Sequence, residues 1–305
     1  MHERATIVIA GTGLLGASLA LALKAAGHTG RIVGVGRRPE TLERARAVGG
    51  FDDTSTDLGA AAAKAQLAVL ATPLSAFDRL LAELSTTAPA GLIVTDVGST
   101  KVGPLAAARR HLPPHVRFVG AHPMAGSERQ GPEAADAELF RGRPCIVCRE
   151  TDTDDRAAAT VAAMWERVGM TVLEMTAEQH DRKTAAVSHL PHAAAVALVL
   201  AADQLGGWDV ASTGFRDTTR LASSNPPMRR DIMLENRHAL RDAIATFRHE
   251  LDRLEEHLAA GDGEALLQHL DAARRERDDW LGDEPAKRQD AKAPRRQEER
   301  KGWKA

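Results

Sequence analysis

Short apolar runs alternate with stretches of helical periodicity through the first half of the chain. The runs are Thr6 to Ala10, Arg31 to Val35, Leu67 to Ala71, Leu92 to Val97, Val116 to Gly120 and Cys145 to Val147. Helices are expected between them, near Leu14 to Ala26, Pro39 to Val48, Ser75 to Leu84 and Val102 to Arg110. Runs without polar interruption suit strands buried on both faces, and their alternation with helices predicts a mostly parallel sheet covered on both sides. The texture changes around residue 150, and after Met170 to Met175 the pattern is almost wholly helical. The expected organisation is an α/β domain over 1–170, an all-α domain over 171–281, and a charged tail over 282–305. That tail is dense in Lys, Arg, Glu and Pro, too polar to bury a core, and expected to be disordered.

Within the helical half, Met233, Leu240, Ile244, Phe247, Leu251, Leu254 and Leu258 recur at spacings of seven, four, three, four, three and four. This is a seam of coiled-coil type, too long for one small domain to hide, so a homodimer through the C-terminal helices is expected. The alternative is an intrachain hairpin with the amphipathic stretch Ala265 to Leu281.

A length of 305 residues suits two domains of ordinary size. The net charge of −2 gives no electrostatic footprint for nucleic acid or an anionic membrane, so a small-molecule ligand is expected. No apolar stretch of membrane-spanning length and no leader are read from the chain, and a cytoplasmic location is expected. Cys145 and Cys148 have CxxC spacing, but they sit in a strand-like run that points them to opposite faces, so they read as two apolar strand residues.

Gly11-Thr12-Gly13-Leu14-Leu15-Gly16 follows a predicted strand and opens a predicted helix. In that context the first glycine permits a tight turn, the second admits a pyrophosphate, and the third lets helix and strand pack closely. The helix N-terminus offers free N–H groups to the phosphates. Gly11, Gly13, Leu14, Leu15 and Gly16, with Thr72 after a later strand, form the expected cofactor-binding set. At the end of the second strand, where an NAD enzyme usually carries an acid, stand Gly36, Arg37 and Arg38. Glycine leaves room for a 2′-phosphate and the guanidiniums attract it, so NAD(P)+ is expected, with NADP favoured over NAD. The alternative is that both arginines are solvated loop charges.

His122 follows the strand run Val116 to Gly120 and precedes a polar, glycine-containing loop. Ligands of open parallel sheets bind beyond the carboxyl ends of the strands, so His122 is the candidate proton acceptor beside the nicotinamide. Ser99, after the preceding strand, is expected either to hydrogen-bond that ring or to cap the next helix. Ser188 and His192 are four apart and share a helix face, with Pro191 between them expected to break or start a turn. No HExxH pattern or acidic third ligand accompanies His189 and His192, so no metal is expected. Arg216 and Arg220 lie near Gly214, as anion clamps would.

At these residues the chain resembles the prephenate/arogenate dehydrogenase family of tyrosine biosynthesis. The resemblance runs from the glycine loop to about Leu281 and rests on the blocks HPMAGSE from His122, SHLPH from Ser188, FRDTTR from Phe215 and MRRDIMLEN from Met228. It implies a Rossmann-type N-terminal domain and a helical dimerisation domain. The implied activity is oxidative decarboxylation of prephenate or arogenate to 4-hydroxyphenylpyruvate or tyrosine, with hydride passed to NAD(P)+. It implies that His122 is catalytic with Ser99 as its partner, that Ser188 and His192 are active-site polar groups, that Arg220 clamps a substrate carboxylate, and that Glu128 lies in the loop over the site. Arg229 is a substrate-binding candidate at a position where relatives usually carry Trp, which points to different packing there. The family's chorismate mutase segment and regulatory domain are not recognised. Two other readings share parts of the pattern: another two-domain NADP-linked dehydrogenase of 3-hydroxyacid or imine type, which would rely on Lys183, and a non-catalytic dinucleotide-sensing dimer.

Overall fold

The computed structural model describes residues 3–126 and 129–282 of the chain; the expected charged tail from 283 and the site candidate Glu128 lie outside the described residues. One compact unit runs to Thr246 and a second begins at Phe247. In the first, the strands β1 (Ile7–Ala10), β2 (Ile32–Val35), β3 (Asp53–Ser55), β4 (Leu67–Leu70), β5 (Ile93–Asp96) and β6 (Arg117–Val119) form one sheet in the order 3-2-1-4-5-6. Every pairing in it is parallel. This is the doubly wound dinucleotide-binding arrangement, with its crevice where the strand order reverses at β1 and β4.

The helices joining these strands are α1 (Leu14–Ala25), α2 (Pro39–Val48), α3 (Leu58–Ala62), α4 (Phe77–Thr87) and α5 (Val102–His111). The continuous apolar strands are explained by two cores. Ile7, Ile9, Leu67 and Val69 pack with Leu19 and Leu23 of α1 on one face. Val8, Ala10, Ala68 and Leu70 pack with Leu58, Leu80, Leu81 and Leu84 on the other. Successive strand residues point to opposite faces, so each strand serves both cores and tolerates few polar positions.

A second sheet of three strands is built from β7 (Ala121–Pro123), β8 (Pro144–Cys148) and β9 (Thr171–Met175). β7 runs antiparallel and β9 parallel to β8, with α6 (Asp155–Arg167) between β8 and β9. Because β9 pairs along its whole length with β8, residues 171–175 belong to the α/β part, and the expected boundary at 170 moves past Met175. Cys145 packs in the main core and Cys148 in a small cluster with Ile146 and Ala177, on opposite faces of β8. Burial pushes the Cys148 thiol up to about 12 and the Cys145 thiol higher still, which disfavours the reactive thiolate.

Beyond the second sheet come α7 (Ala177–Thr184), a π-helical turn over Ala185–His189 and α8 (Leu190–Leu205). Then follow α9 (Thr213–Thr219) and α10 (Pro226–Glu235). The first three join into one helix, Ala177–Leu205, and Pro191 does not interrupt it as expected. A wide π turn immediately before Pro191 accommodates the residue that lacks an N–H. By length and composition this helix could cross a membrane, its most apolar window having a mean hydropathy of 1.6, which corrects the expectation that no such stretch occurs. Ser188, His189 and His192 are polar positions within it, and His189 and His192 are buried in the protein.

The seam is divided between two helices. Met233 lies on α10, Asn236 ends that helix, and the remaining seam residues lie on α11 (Arg237–Ala260). In the second unit, α11 is followed by α12 (Gly263–Gly282), and His269 reaches Glu250 at 3.5 Å, so a hairpin contact between these helices forms. Leu251, Leu258, Leu267 and Leu270 nevertheless remain exposed on them.

Candidate functional site

The glycine turn fits a dinucleotide on the protein's own geometry. Gly11 has φ +107°, and a Cβ there would fall 2.3 Å from the carbonyl oxygen of Ala71. A Cβ on Gly16 would fall 1.9 Å from the carbonyl oxygen of Gly11, so turn and helix can meet only as glycines. A Cβ on Gly13 would meet nothing within 4 Å, and no side chain caps α1, so the first N–H groups, those of Leu14, Leu15 and Gly16, have no side-chain capping partner. Thr72, whose backbone nitrogen lies against the Gly11 turn, carries a buried hydroxyl with no hydrogen-bond partner among the described residues. Open backbone donors and an orphaned hydroxyl at the reversal of strand order are what a bound pyrophosphate would satisfy.

Arg37 and Arg38 are exposed in the turn between β2 and α2, with no hydrogen bond or ion pair from either guanidinium among the described residues. Gly36 is packed more closely than its sequence suggested. A Cβ there would sit 3.0 Å from Cδ2 of Leu42.

His122 is the middle residue of β7, opposite Ile146 of β8, rather than the end of the strand run Val116 to Gly120. The chain passes from β6 through Gly120 straight into the second sheet, a change of partner that the short polar segment did not reveal. Ala121 and Pro123 are buried and His122 between them is half-buried, as strand alternation requires. The peptide before it is held at both ends: Asp96 Oδ1 accepts the Ala121 N–H at 3.1 Å, and Lys101 Nζ donates to the Ala121 carbonyl at 2.8 Å. Lys101 also forms a fully buried ion pair with Asp96, whose Oδ2 accepts the Gly98 N–H at 2.8 Å. Burial pushes the Asp96 carboxyl up, against the pull of Lys101 and the backbone donors.

The ring of His122 does not meet Ser99. Its Nδ1 lies 2.8 Å from Nε2 of His180 on α7, and the two rings are edge to face. His180 Nδ1 lies 2.7 Å from Asp181 Oδ1. Ser99 does not cap α5 either; the residue at that position is Lys101, whose side chain makes no capping bond. The cap comes from Asp181, which accepts the N–H groups of Lys101 at 2.7 Å and Val102 at 2.9 Å. Ser99 stands half-buried at the end of β5, with a hydroxyl that makes no hydrogen bond among the described residues. Desolvation, with His180, Lys101 and His189 nearby, holds His122 well below the ordinary histidine range.

Ser188 is half-buried in the π turn. His189 and His192, on the same continuous helix, are both buried. Asn236 links two of these elements, its Nδ2 donating to the Asp181 carbonyl at 2.7 Å and lying 3.0 Å from Nδ1 of His189. His192 Nδ1 lies 3.1 Å from the carbonyl oxygen of Leu221, just after Arg220. Burial lowers His189 to about 4 and also lowers His192. Arg220 is exposed and contributes to the lowering at His192. Arg229 acts on both histidines, and its buried Nε has no hydrogen-bond partner among the described residues. Desolvation lowers its own pKa. Arg216 pairs loosely with Asp217 at 3.8 Å and is exposed, as is Lys183.

Two family models match consecutive parts of the chain: prephenate dehydrogenase, nucleotide-binding domain, over residues 19–174, and prephenate dehydrogenase, dimerization domain, over residues 176–272. A cyclohexadienyl dehydrogenase of Zymomonas mobilis is 34% identical over 280 residues, covering 89% of this chain and 94% of that protein. A prephenate dehydrogenase of Bacillus subtilis is 35% identical over 283 residues, covering 90% of this chain and 75% of that protein. Among solved structures, prephenate dehydrogenase from A. aeolicus in complex with hydroxyphenyl propionate and NAD+ superposes with a TM-score of 0.86 at 32% identity, over 90% of this chain and 98% of that one. Synechocystis arogenate dehydrogenase gives 0.80 at 30% identity, over 90% and 99%. With these matches along most of the chain, the protein belongs to the prephenate dehydrogenase family.

Proposed function

We propose that this protein oxidatively decarboxylates prephenate, or its amino counterpart arogenate, with His122 as the proton acceptor. The observation that carries this reading is the place of His122, a half-buried ring on a strand leaving the carboxyl end of the parallel sheet, where desolvation lowers its pKa well below the ordinary histidine range. A neutral imidazole near the working pH is what a general base must be. The substrate class carries two carboxylates and a ring hydroxyl. Nicotinamide, when bound, takes the hydride as carbon dioxide leaves and the ring becomes aromatic. The protein's task is then alignment, acceptance of the hydroxyl proton and retention of the carboxylates.

Arg220 and Arg229, both within electrostatic reach of His192, are the proposed carboxylate clamps, with Ser188, His192 and Ser99 as polar contacts. The unpartnered buried Nε of Arg229 supports that role, because a desolvated guanidinium edge without an acceptor is costly until an anion arrives. Arg220→Ala is expected to raise KM with kcat little changed, read from initial rates, since a contact made equally in ground and transition states is lost. Unchanged KM would place the clamp at Arg229 or Arg216.

The finer cofactor assignment is NADP over NAD. Replacing Arg37 and Arg38 together with neutral residues is expected to weaken NADP roughly tenfold to a hundredfold and leave NAD nearly untouched, because these exposed charge-assisted contacts are discounted for screening. Equal losses for both cofactors in parallel titrations would show that the arginines support the turn instead. Gly36→Asp, added to improve NAD, requires Leu42 to give by a few tenths of an ångström.

A homodimer is proposed through the helical half. Val187, Leu200 and Leu205 are exposed along the Ala177–Leu205 helix, as are Leu258 and Leu270 farther on, and the segment falls largely within the match to the dimerization domain. Such apolar faces mark association surfaces, which also accounts for the membrane-like hydropathy of that helix. A cytoplasmic location follows from this reading. Initial rates with each substrate and each cofactor test the proposal as a whole.

A further inference from the structure

We infer that His180 and Asp181 are positioning residues of this site: Asp181 fixes the proton of His180, and His180 fixes the proton of His122 on Nδ1, leaving Nε2 bare to receive a proton. The inference rests on the base role proposed for His122.

The argument is a count of donors. The Asp181 carboxylate accepts two backbone N–H groups, from Lys101 at 2.7 Å and Val102 at 2.9 Å, at the positive end of α5. In that setting it acts as an acceptor, so the 2.7 Å contact with His180 requires the proton on His180 Nδ1. A neutral His180 then has only a lone pair on Nε2. The 2.8 Å contact with His122 Nδ1 is a hydrogen bond only if His122 donates. His122 therefore carries its single proton on Nδ1, and Nε2 is its free acceptor.

The competing arrangement makes His180 cationic and moves the His122 proton to Nε2, which would abolish the base. Lys101, whose Nζ binds the Ala121 carbonyl, and His189 also face this ring, while Asp96 is already engaged by Lys101. A positive charge on the resting histidine pair is opposed by the Lys101 ammonium beside it. When the substrate hydroxyl gives up its proton, the O–H bond breaks and an N–H bond forms at Nε2. The resulting imidazolium keeps its Nδ1–H on His180, behind which lies the Asp181 carboxylate. The same logic governs the acid of a Ser–His–Asp triad, which sets the tautomer without taking the proton. Here an additional histidine transmits it.

The test is nitrogen-15 NMR of the ring nitrogens in full-length protein, with His122 assigned by difference from His122→Asn, alongside pH profiles of kcat/KM. The wild type is expected to show His122 protonated on Nδ1. His180→Phe removes the acceptor and is expected to lose that tautomer and at least tenfold in kcat, with KM nearly constant. His180→Gln places an amide oxygen near the former Nε2, and is expected to keep the tautomer and recover much of kcat. Its acid limb should move to lower pH, because Asp181 no longer supports the imidazolium. A His122 proton on Nε2 in the wild type would overturn the inference, as would a His180→Phe enzyme with unchanged tautomer and pH profile. Loss of the base role itself would appear separately, as full turnover by His122→Asn.

Discussion

His122→Asn is expected to lower kcat by about 100-fold or more, the usual worth of positioned general-base assistance, while leaving cofactor binding intact. Binding should survive because the proposed cofactor turn is built from β1, α1 and Thr72, and none of its close packing involves β7. Asparagine retains a polar group in the strand but cannot hold a proton at the working pH. The pH profile gives a second reading of the same variant. Desolvation lowers the His122 pKa, so its neutral, proton-accepting form persists below the ordinary histidine range and is lost only as pH falls through that lowered value. The wild-type rate should therefore decline on the acid side, and this limb should vanish in the variant. Turnover at the wild-type rate would remove His122 from the mechanism.

Lys101→Met is expected to destabilise the protein by about 3–5 kcal/mol, because it strands the fully buried Asp96 carboxylate without its partner. For a domain of this size such a loss lowers Tm on the order of 10 °C, measurable by thermal unfolding. Function should suffer as well. Lys101 and Asp96 grip the Ala121 peptide from both ends, so the strand carrying His122 loses one of its two anchors. Asp96→Asn combined with Lys101→Met removes both charges and should recover part of the stability, since no uncompensated ion remains, but Asn has one oxygen for the two backbone N–H groups that Asp96 accepts and the Ala121 carbonyl still lacks its donor. A single variant as stable as the wild type would show that Asp96 is already neutral in the folded protein.

The strands that the sequence made visible are those serving two cores. Ile7 to Ala10 and Leu67 to Leu70 are apolar at every position because each face of the sheet is covered. β3 and β7 went unseen because Asp53–Ser55 and Ala121–Pro123 are three residues long and carry polar side chains, below any periodic signal. β9 shows in the sequence only as the end of the α/β texture, since its residues are half-buried or exposed and its pairing with β8 is non-local. His122 was legible as a polar residue after an apolar run. Its partner was not. His180 and Asp181 lie in a short polar helix, Ala177–Thr184, and only the tertiary fold brings them to a strand 58 residues earlier. Ser99 looked like the partner because strand ends converge in this fold, but convergence of backbones does not say which side chains meet. The glycine turn was the most legible feature, because a steric requirement on backbone leaves its mark directly in residue type.

The most direct measurement is the initial rate of nicotinamide reduction by the full-length protein, taken with prephenate and with arogenate, each paired with NADP+ and with NAD+. Turnover of at least one of these cyclohexadienols is expected, faster with NADP+ than with NAD+ at equal subsaturating concentrations, with the aromatic product and carbon dioxide appearing in step with reduced cofactor. Tight dinucleotide binding without reduction by either substrate would contradict the assigned chemistry and leave a protein that binds the cofactor without using it.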